Sequence, residues 1–568
     1  MHNLKVARIF YEIADILELQ GVKFKPQAYR KAARSIESLE EDIETIEDFT
    51  SIPGVGKAIA RKIAEILETG KLEYLENLKE ETPEGLEELL RLPDIGPKTA
   101  HLLASQGITS IEALKEALDQ HRLQKLKGFG PRTEENLKRS IQLYTFQKER
   151  KLLGKVLPLC HMVKDSLADV ADTVVIAGSI RRWKETVGDI DVLAISSQPE
   201  ILIDTFTQLP FVEQVLAKGS TKSTVIFQRG LQIQSDLRVL PEESFGAALQ
   251  YFTGSKEHNI KLRKIAVRKG YKLNEYGLFD RKTNQRVAGE SEADIYSKLG
   301  LQYIPPELRE DQGEIEAAQR NSLPELVDMP QIRGDFHVHT VWSDGSDTIE
   351  AMALEGKKLG YEYIGICDHS QTLKVAHGLS EERLLDQITF IRELNDRIQG
   401  ITILSGIESD ILPDSSLDYP DTVLEQLDFV IASIHSRFKS PQKEVTNRVV
   451  NALQNPLVTV VGHPTGRIIG RRAPLNLDLE QIFKTAAKTG TALEINCYPD
   501  RLDLKDTLIR TAKEYGVTLA LGTDAHSAQD LTFMELGVRT ARRGWAEPGD
   551  ILNTLSADNL FSRKFGKK

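Results

Sequence analysis

The chain has 568 residues, of which 40% are hydrophobic and 28% charged, with a net charge of −11. At about 150 residues per domain that length suits three or four domains, each able to bury its own core, and the composition is that of a soluble globular protein. The three cysteines (Cys160, Cys367, Cys497) exclude a disulfide framework and a Cys-x-x-Cys zinc site; charges at Lys5, Arg8, Glu12 and Asp15 exclude a secretory signal; and no apolar run spans a bilayer. The expected location is the cytoplasm, with no membrane partner. The acidic sum does not exclude nucleic acid, because binding depends on local patches.

Val6, Ile9, Phe10, Ile13, Ile16 and Leu17 recur at helical spacing. A basic run follows (Lys23, Lys25, Arg30, Lys31, Arg34), interleaved with Phe24 and Tyr29. Ile52-Pro53-Gly54-Val55-Gly56-Lys57 sits between two helical patterns. Leu92-Pro93-Asp94-Ile95-Gly96-Pro97-Lys98 and Leu126-Lys127-Gly128-Phe129-Gly130-Pro131-Arg132 repeat it. Each copy is a hydrophobe, a glycine turn and a helix start. The three resemble helix-hairpin-helix units, in which backbone N–H groups at a helix N-terminus take a DNA phosphate without reading bases. Gly54, Gly56, Lys57, Gly96, Lys98, Gly128 and Gly130 are the expected DNA contacts.

The apolar run Val174-Val175-Ile176-Ala177 reads as a buried strand. Gly178-Ser179 then turns the chain into Arg181-Arg182, and a second strand carries Asp189 and Asp191. Residues two apart on a strand share a face, so both carboxylates project together while Ile190 and Val192 face the core. Paired carboxylates suit two hard cations such as Mg²⁺, and the glycine turn with its arginines suits a phosphate. The string reads as a nucleotidyl-transfer site, and its Gly-Ser-x-Arg-Arg and Gly-Asp-x-Asp resemble the palm signature of family X DNA polymerases, the DNA polymerase beta relatives.

That resemblance extends in both directions. It implies that Asp236, in Leu231-Gln232-Ile233-Gln234-Ser235-Asp236, is a third metal carboxylate, with Asp189 and Asp191 holding both ions. It implies that Gly178, Ser179, Arg182 and Gly188 meet the triphosphate. Tyr251, Phe252 and Gly254 would meet the incoming sugar, and Asn259 and Arg263 the minor-groove edge. In the N-terminal region it implies a lyase domain with Lys62 as Schiff-base nucleophile and Lys25 and Tyr29 in a 5′-phosphate pocket. A second basic residue of that pocket is replaced by Ala58, with Lys57 displaced by one. His258 has no role in the match and reads as structural.

Residues from about Pro305 to Ile332 are acidic and proline-punctuated and read as a linker. Beyond it, short apolar runs end in polar ligands, beginning with Asp335-Phe336-His337-Val338-His339. Cys367-Asp368-His369, Ile407-Glu408, Ile434-His435, Gly462-His463, Leu493-Glu494 and Thr523-Asp524-Ala525-His526 follow. Strands alternating with helices, each with a ligand at its end, predict a β/α barrel with a multinuclear metal centre. The region resembles the PHP (polymerase and histidinol phosphatase) domain. That implies one ion on His337, His339, Glu408 and Asp524, a second on Glu408, His435 and His463, and a third on Asp344, His369 and His526. The match gives Glu494 no ligand role. Arg467, Arg471 and Arg472 are candidate phosphate contacts.

The expected fold is multidomain α/β: a lyase-like helical domain (1–80), a helix-hairpin-helix subdomain (81–145), a palm with a mixed sheet (146–242), a nucleotide-selecting subdomain (243–310), a linker (311–332) and a distorted β/α barrel (333–568). The chain is identified as similar to bacterial family X DNA polymerases fused to a PHP domain. The resemblance implies template-directed filling of short gaps in base excision repair, with Mn²⁺-dependent 3′–5′ exonuclease and abasic-site endonuclease or lyase activity. Implied cofactors are two Mg²⁺ in the palm and up to three Mn²⁺ or Zn²⁺ in the barrel. Implied partners are gapped or nicked duplex with a 5′-phosphate, dNTPs and single-stranded 3′ ends, met by a monomer. The alternative is a template-independent nucleotidyltransferase joined to a small-molecule phosphatase.

Overall fold

The computed structural model describes residues 2–560 except 20–21, 23, 38, 40–42, 47, 81–88, 90–91, 93–94, 96, 126–128, 132, 135–136, 139–140 and 142–149. The chain forms two compact units, one centred on Met1–Arg150 and the other built from Lys151–Leu231 and Ser235–Lys568.

In the N-terminal unit, α1 (His2–Leu19), α2 (Lys25–Glu37) and α3 (Lys57–Thr69) enclose a core of Val6, Phe10, Ile13, Ile36, Ile63 and Ile66. The apolar spacing that predicts α1 is the stripe it buries. The Gly54–Gly56 turn opens α3, whose N-cap is Gly56. Helices α4 (Pro97–Ser105) and α5 (Ile111–Asp119) pack a second cluster that includes Leu103, Leu114, Leu118 and Phe129. The Ser110 hydroxyl caps α5 by accepting from Ala113 N at 3.1 Å.

The second unit opens with a five-stranded sheet. Its strands are β1 (Thr173–Ile176), β2 (Asp189–Ile195), β3 (Val212–Lys218), β4 (Lys222–Gln228) and β5 (Gln232–Val239), in the order β1-β2-β5-β4-β3. β1 runs antiparallel to β2 with Val175 opposite Leu193, and β3 antiparallel to β4. Helices α6 (Phe245–Thr253) and α7 (Lys256–Arg268) follow, then a three-stranded antiparallel sheet over residues 271–288.

The segment expected to be a linker is built into this unit. Its helix α8 (Glu314–Gln319) buries Ile315 and Ala318 in one cluster with Ala247, Leu262 and Tyr296. His258 is fully buried between Glu314, at 2.7 Å, and the Tyr296 hydroxyl, at 2.9 Å, so its structural reading stands. Two of the acidic residues that suggested a spacer are ion-pair partners inside the unit: Glu307 takes Arg539 and Arg542 at 3.0 and 2.7 Å, and Glu310 takes Arg182 and Arg543. Composition gives a residue's charge but not the cation that meets it.

Seven parallel strands in sequential order complete the unit: β6 (Gly334–Val338), β7 (Tyr363–Ile366), β8 (Thr402–Asp410), β9 (Phe429–Ser433), β10 (Val460–Val461), β11 (Ala492–Asn496) and β12 (Leu519–Gly522). A parallel bridge between Val338 and Ala525 brings the first strand against the last, so the barrel is nearly closed. Helices cover the outside, which accounts for strands that are apolar on both faces. Among the described residues no helix is long and apolar enough to cross a membrane. The multidomain α/β expectation, helical hairpins before a palm and a barrel, is met.

Candidate functional site

Two clusters of ligand-type side chains lie in the second unit. In the palm, the antiparallel pairing of β1 and β2 sets the Gly178 turn beside Asp191. Asp189 and Asp191 share one face of β2 while Ile190 and Val192 are buried, and β5 brings Asp236 alongside. Ligand atoms of the three carboxylates lie within 4.8 Å of one another. Burial, reinforced by Asp189 and Asp236, pushes the Asp191 carboxyl up to about 7, while Arg238 and Arg182 oppose the rise. Three acids so close together repel one another, and a divalent cation removes that repulsion. The donor set, carboxylate oxygens only, fits a hard ion. Thr224 donates to the Asp236 carboxylate and fixes it.

Gly178-Ser179-Ile180-Arg181 is a single helical turn rather than a loop. Gly178 has φ +62°, and a Cβ there would collide with the Asp191 carboxylate, so both backbone conformation and space require glycine. The two arginines diverge. Arg181 is tied into a buried pair with Glu292 at 2.7 Å, which also holds Arg309 at 2.5 Å. Arg182 instead extends beside Gly254, donating from Nη1 to Thr253 O and from Nε to Glu310 at 3.0 Å.

Tyr251 and Phe252 close α6 in edge-to-face contact at 5.1 Å, with the Arg238 guanidinium 4.5 Å from the Phe252 ring. Asn259, on α7, uses its amide internally: it donates to Tyr251 O at 2.7 Å and accepts from Gln250 at 2.6 Å. Arg263 lies exposed, its Nε 3.3 Å from Asn259 O. Gly188 is half-buried just before β2.

In the barrel, the C-terminal ends of the strands deliver all nine expected ligands to one place. Ligand atoms of His337, His339 and Asp524 lie within 4.8 Å of one another. The same holds for His369, Glu408 and His435, and for His339, Asp344, His369 and His526. His463 meets Glu408 at 2.9 Å. The groupings differ from the expected ones in three respects: Glu408 is outside the set of His337, His339 and Asp524; His369, rather than His463, shares a set with Glu408 and His435; and His339 joins Asp344, His369 and His526. Burial, with His369 and His526 beside it, lowers the His339 imidazole to about 3, so it stays neutral and able to ligate. Against the burial that would raise them, neighbouring imidazoles hold the carboxyls of Asp344, Glu408 and Asp524 well below the usual carboxylate range. A mixed imidazole and carboxylate donor set fits Mn²⁺, Zn²⁺ or Fe.

Comparison with known proteins matches this division. A DNA polymerase beta thumb model matches residues 248–310, a helix-hairpin-helix domain 1–72, a SAM-like helix-hairpin-helix tandem 86–142, and a PHP domain 335–497. The chain is 41% identical over 564 residues to the DNA polymerase/3′-5′ exonuclease PolX of Bacillus subtilis (strain 168), covering 99% of each. The chain belongs to the PolX family. It is also 28% identical over 339 residues to DNA polymerase lambda of Rattus norvegicus, covering 54% of this chain and 56% of that one. Over 232 residues it is 30% identical to a probable phosphatase of Thermoanaerobacter sp. (strain X514), covering 39% of this chain and 89% of that one.

Within this PolX architecture, three residues near the barrel ligands have roles that the sequence pattern does not assign. Glu494 accepts from His337 Nδ1 at 2.6 Å and from the His463 backbone N–H, and so sets the tautomer that points His337 Nε2 at the cluster. Asp335 accepts from Thr523 N and His337 N, both at 3.1 Å, tying β6 to β12. Arg501 lies 3.3 Å from Asp524 and, with the ligands, lines a cavity of about 340 Å³; its buried Nη1 has no hydrogen-bond partner among the described residues. Only Glu494 left a signal, a carboxylate at a strand end like the ligands themselves.

Two of the three arginines expected to bind phosphate are engaged elsewhere. Arg467 is buried against Glu185, at 2.8 Å, and Leu502 O, which removes it from the cavity. Arg472 stacks 3.9 Å over Phe438 and donates to Gly466 O. Arg471 is exposed.

In the N-terminal unit, Lys62 is partly buried with its Nζ 3.6 Å from the Tyr74 ring centroid, and Tyr74 stacks on Tyr29 at 6.4 Å. Burial lowers the Lys62 ammonium pKa and Lys25 lowers it further, against Glu65. Lys25, Lys57, Gly54 and Gly56 are exposed, and Gly130 is half-buried. Gly96 and Gly128 lie outside the described residues, as does the Lys98 side chain.

Proposed function

We propose that this chain fills short gaps during DNA repair and processes 3′ ends with its own barrel. The enzyme classes follow from family membership: it is a DNA polymerase with a 3′–5′ exonuclease, and it acts on DNA and deoxynucleoside triphosphates. The observation that carries the gap-filling assignment is the carboxylate triad Asp189–Asp191–Asp236 set beside Arg182 and the Gly178 turn.

In this reading Asp189, Asp191 and Asp236 hold two Mg²⁺ ions, which when bound assist deprotonation of the primer 3′-OH and neutralise the triphosphate. Gly178, Ser179, Gly188 and Arg182 receive the phosphates. Tyr251, Phe252 and Gly254 face the sugar. Asn259, through its bond to Tyr251 O, orients that segment, and Arg263 is left to reach the template. His337, His339, Asp344, His369, Glu408, His435, His463, Asp524 and His526 hold up to three Mn²⁺ or Zn²⁺ ions, with Arg501 receiving the scissile phosphate from the cavity wall. Lys62 is the lyase nucleophile: its lowered pKa and the nearby Lys25 raise the fraction of neutral amine and draw a 5′-phosphate. The hairpin turns and Tyr29 complete the grip on a gapped duplex, by a monomer in the cytoplasm.

The test is extension on templates with gaps of one, three and ten nucleotides, with and without a 5′-phosphate. Preference for the short phosphorylated gap, lost in Asp191→Ala, is expected. Extension indifferent to template or gap would sink the reading.

A further inference from the structure

The barrel reaches into the polymerase site through one helix. α9 (Met534–Arg543) lies on the outside of the barrel, yet its basic side chains leave their own domain. Arg539 sits 4.9 Å from the ring of Trp183, the residue after Arg182, and pairs with Glu307 at 3.0 Å; Arg542 reaches the same carboxylate. Arg543 goes furthest. Its Nη1 donates to the backbone carbonyl of Arg182 at 2.6 Å and lies 3.2 Å from Glu310, while its other edge is fixed on Asp506 at 2.7 Å. Glu310 in turn accepts from Arg182 Nε at 3.0 Å.

We propose that Arg543, a residue of the barrel, is a positioning residue for nucleotide incorporation in the palm, acting through Glu310 on Arg182. This rests on the reading of Arg182 as a triphosphate contact. A guanidinium has five N–H donors in a fixed plane. Glu310 takes Nε and Thr253 O takes Nη1, which sets that plane and leaves the remaining donors for a phosphate. Glu310 alone would be a poor choice for this task, since its carboxylate repels the triphosphate that Arg182 attracts. Arg543 offsets that charge, with Lys184 3.8 Å away on the other oxygen. Arg543 is almost wholly buried, so water does not screen the interaction as it would a surface pair. It also holds the Arg182 carbonyl, so the backbone and the side chain of one phosphate-binding residue are both fixed from the barrel side. Neither Arg543 nor Glu310 belongs to the barrel's ligand cluster.

The experiment measures single-nucleotide incorporation and single-strand exonuclease rates for the full chain carrying Arg543→Ala, Arg543→Lys, Glu310→Gln, Arg543→Ala/Glu310→Gln and Arg182→Ala. Arg543→Ala is expected to raise the KM for dNTP about fivefold or more with the exonuclease rate unchanged. Arg543→Lys should fall between, and adding Glu310→Gln to Arg543→Ala should recover most of the loss, because the uncompensated carboxylate is gone. An unchanged KM in Arg543→Ala, or a loss shared equally by both activities and not recovered in the double variant, overturns the inference. If Arg182→Ala leaves KM unchanged, it is the assignment of Arg182 that fails.

Discussion

At the residue scale, the palm shows how a side chain's neighbours decide its chemistry. Arg181 and Arg182 are adjacent and identical, yet Arg181 is held by Glu292, which also takes Arg309, while Arg182 is held by Glu310 and the Thr253 carbonyl beside Gly254. Gly178→Ala would place a Cβ against Asp191 in a left-handed conformation that costs about 1–2 kcal/mol by itself. The expected outcome is polymerisation reduced at least about tenfold with the exonuclease intact, checked by paired rate measurements. Near-normal incorporation would contradict the close approach of turn and carboxylate.

Lys62 gives a pH prediction. Its ammonium pKa is lowered, so the neutral amine appears at lower pH than for an ordinary lysine. Borohydride-trapped adduct on incised abasic DNA should rise with pH and level off below the usual lysine pKa, and should vanish in Lys62→Ala. A profile still climbing through that pKa, or an adduct that survives the substitution, would remove Lys62 from the role. The lysine was legible only through family likeness; its Nζ lies over the ring of Tyr74, a residue whose pattern says nothing of lyase chemistry.

At the scale of elements, periodicity carried far. The period-two pattern around Asp189 and the run of buried strands each ending in a ligand are legible because a strand fixes which side chains share a face and which end they reach. The misreadings fall where function depends on partners far along the chain. Residues 311–332 look like a spacer because they are acidic and proline-rich, yet Glu314 and Ile315 are interior. Arg467 looks like a phosphate ligand because it follows His463, yet Glu185, distant in sequence, claims it. Limited proteolysis tests the first point: cleavage within 311–332 should be slow relative to exposed loops of the same unit. Early cuts there, mapped by mass spectrometry, would restore the linker reading. Glu494→Gln tests the support of His337: the metal content of the barrel should fall, and activity should return in part at high Mn²⁺. Metal content equal to that of the wild type would make Glu494 a packing residue.

At the scale of the molecule, the palm and the barrel are one compact unit holding two clusters of metal-ligand type, one of carboxylates alone and one of imidazoles and carboxylates. The first suits making a phosphodiester at a primer end and the second suits breaking one. If hairpin backbones and lysines contact phosphates as proposed, DNA affinity should be indifferent to sequence and fall steeply with salt. The most direct measurement uses one substrate, a one-nucleotide gap with a 5′-phosphate and a mismatched primer 3′ end, with Mg²⁺ and Mn²⁺ present. It is followed with wild type, Asp191→Ala and His339→Ala. The wild type should trim the mismatch and then fill the gap. Asp191→Ala should trim without filling, its incorporation down about a thousandfold or more, and His339→Ala should extend a matched primer while leaving the mismatch untrimmed. Loss of both activities in either variant, or trimming that persists in His339→Ala, would contradict an account in which each centre does one half of the work.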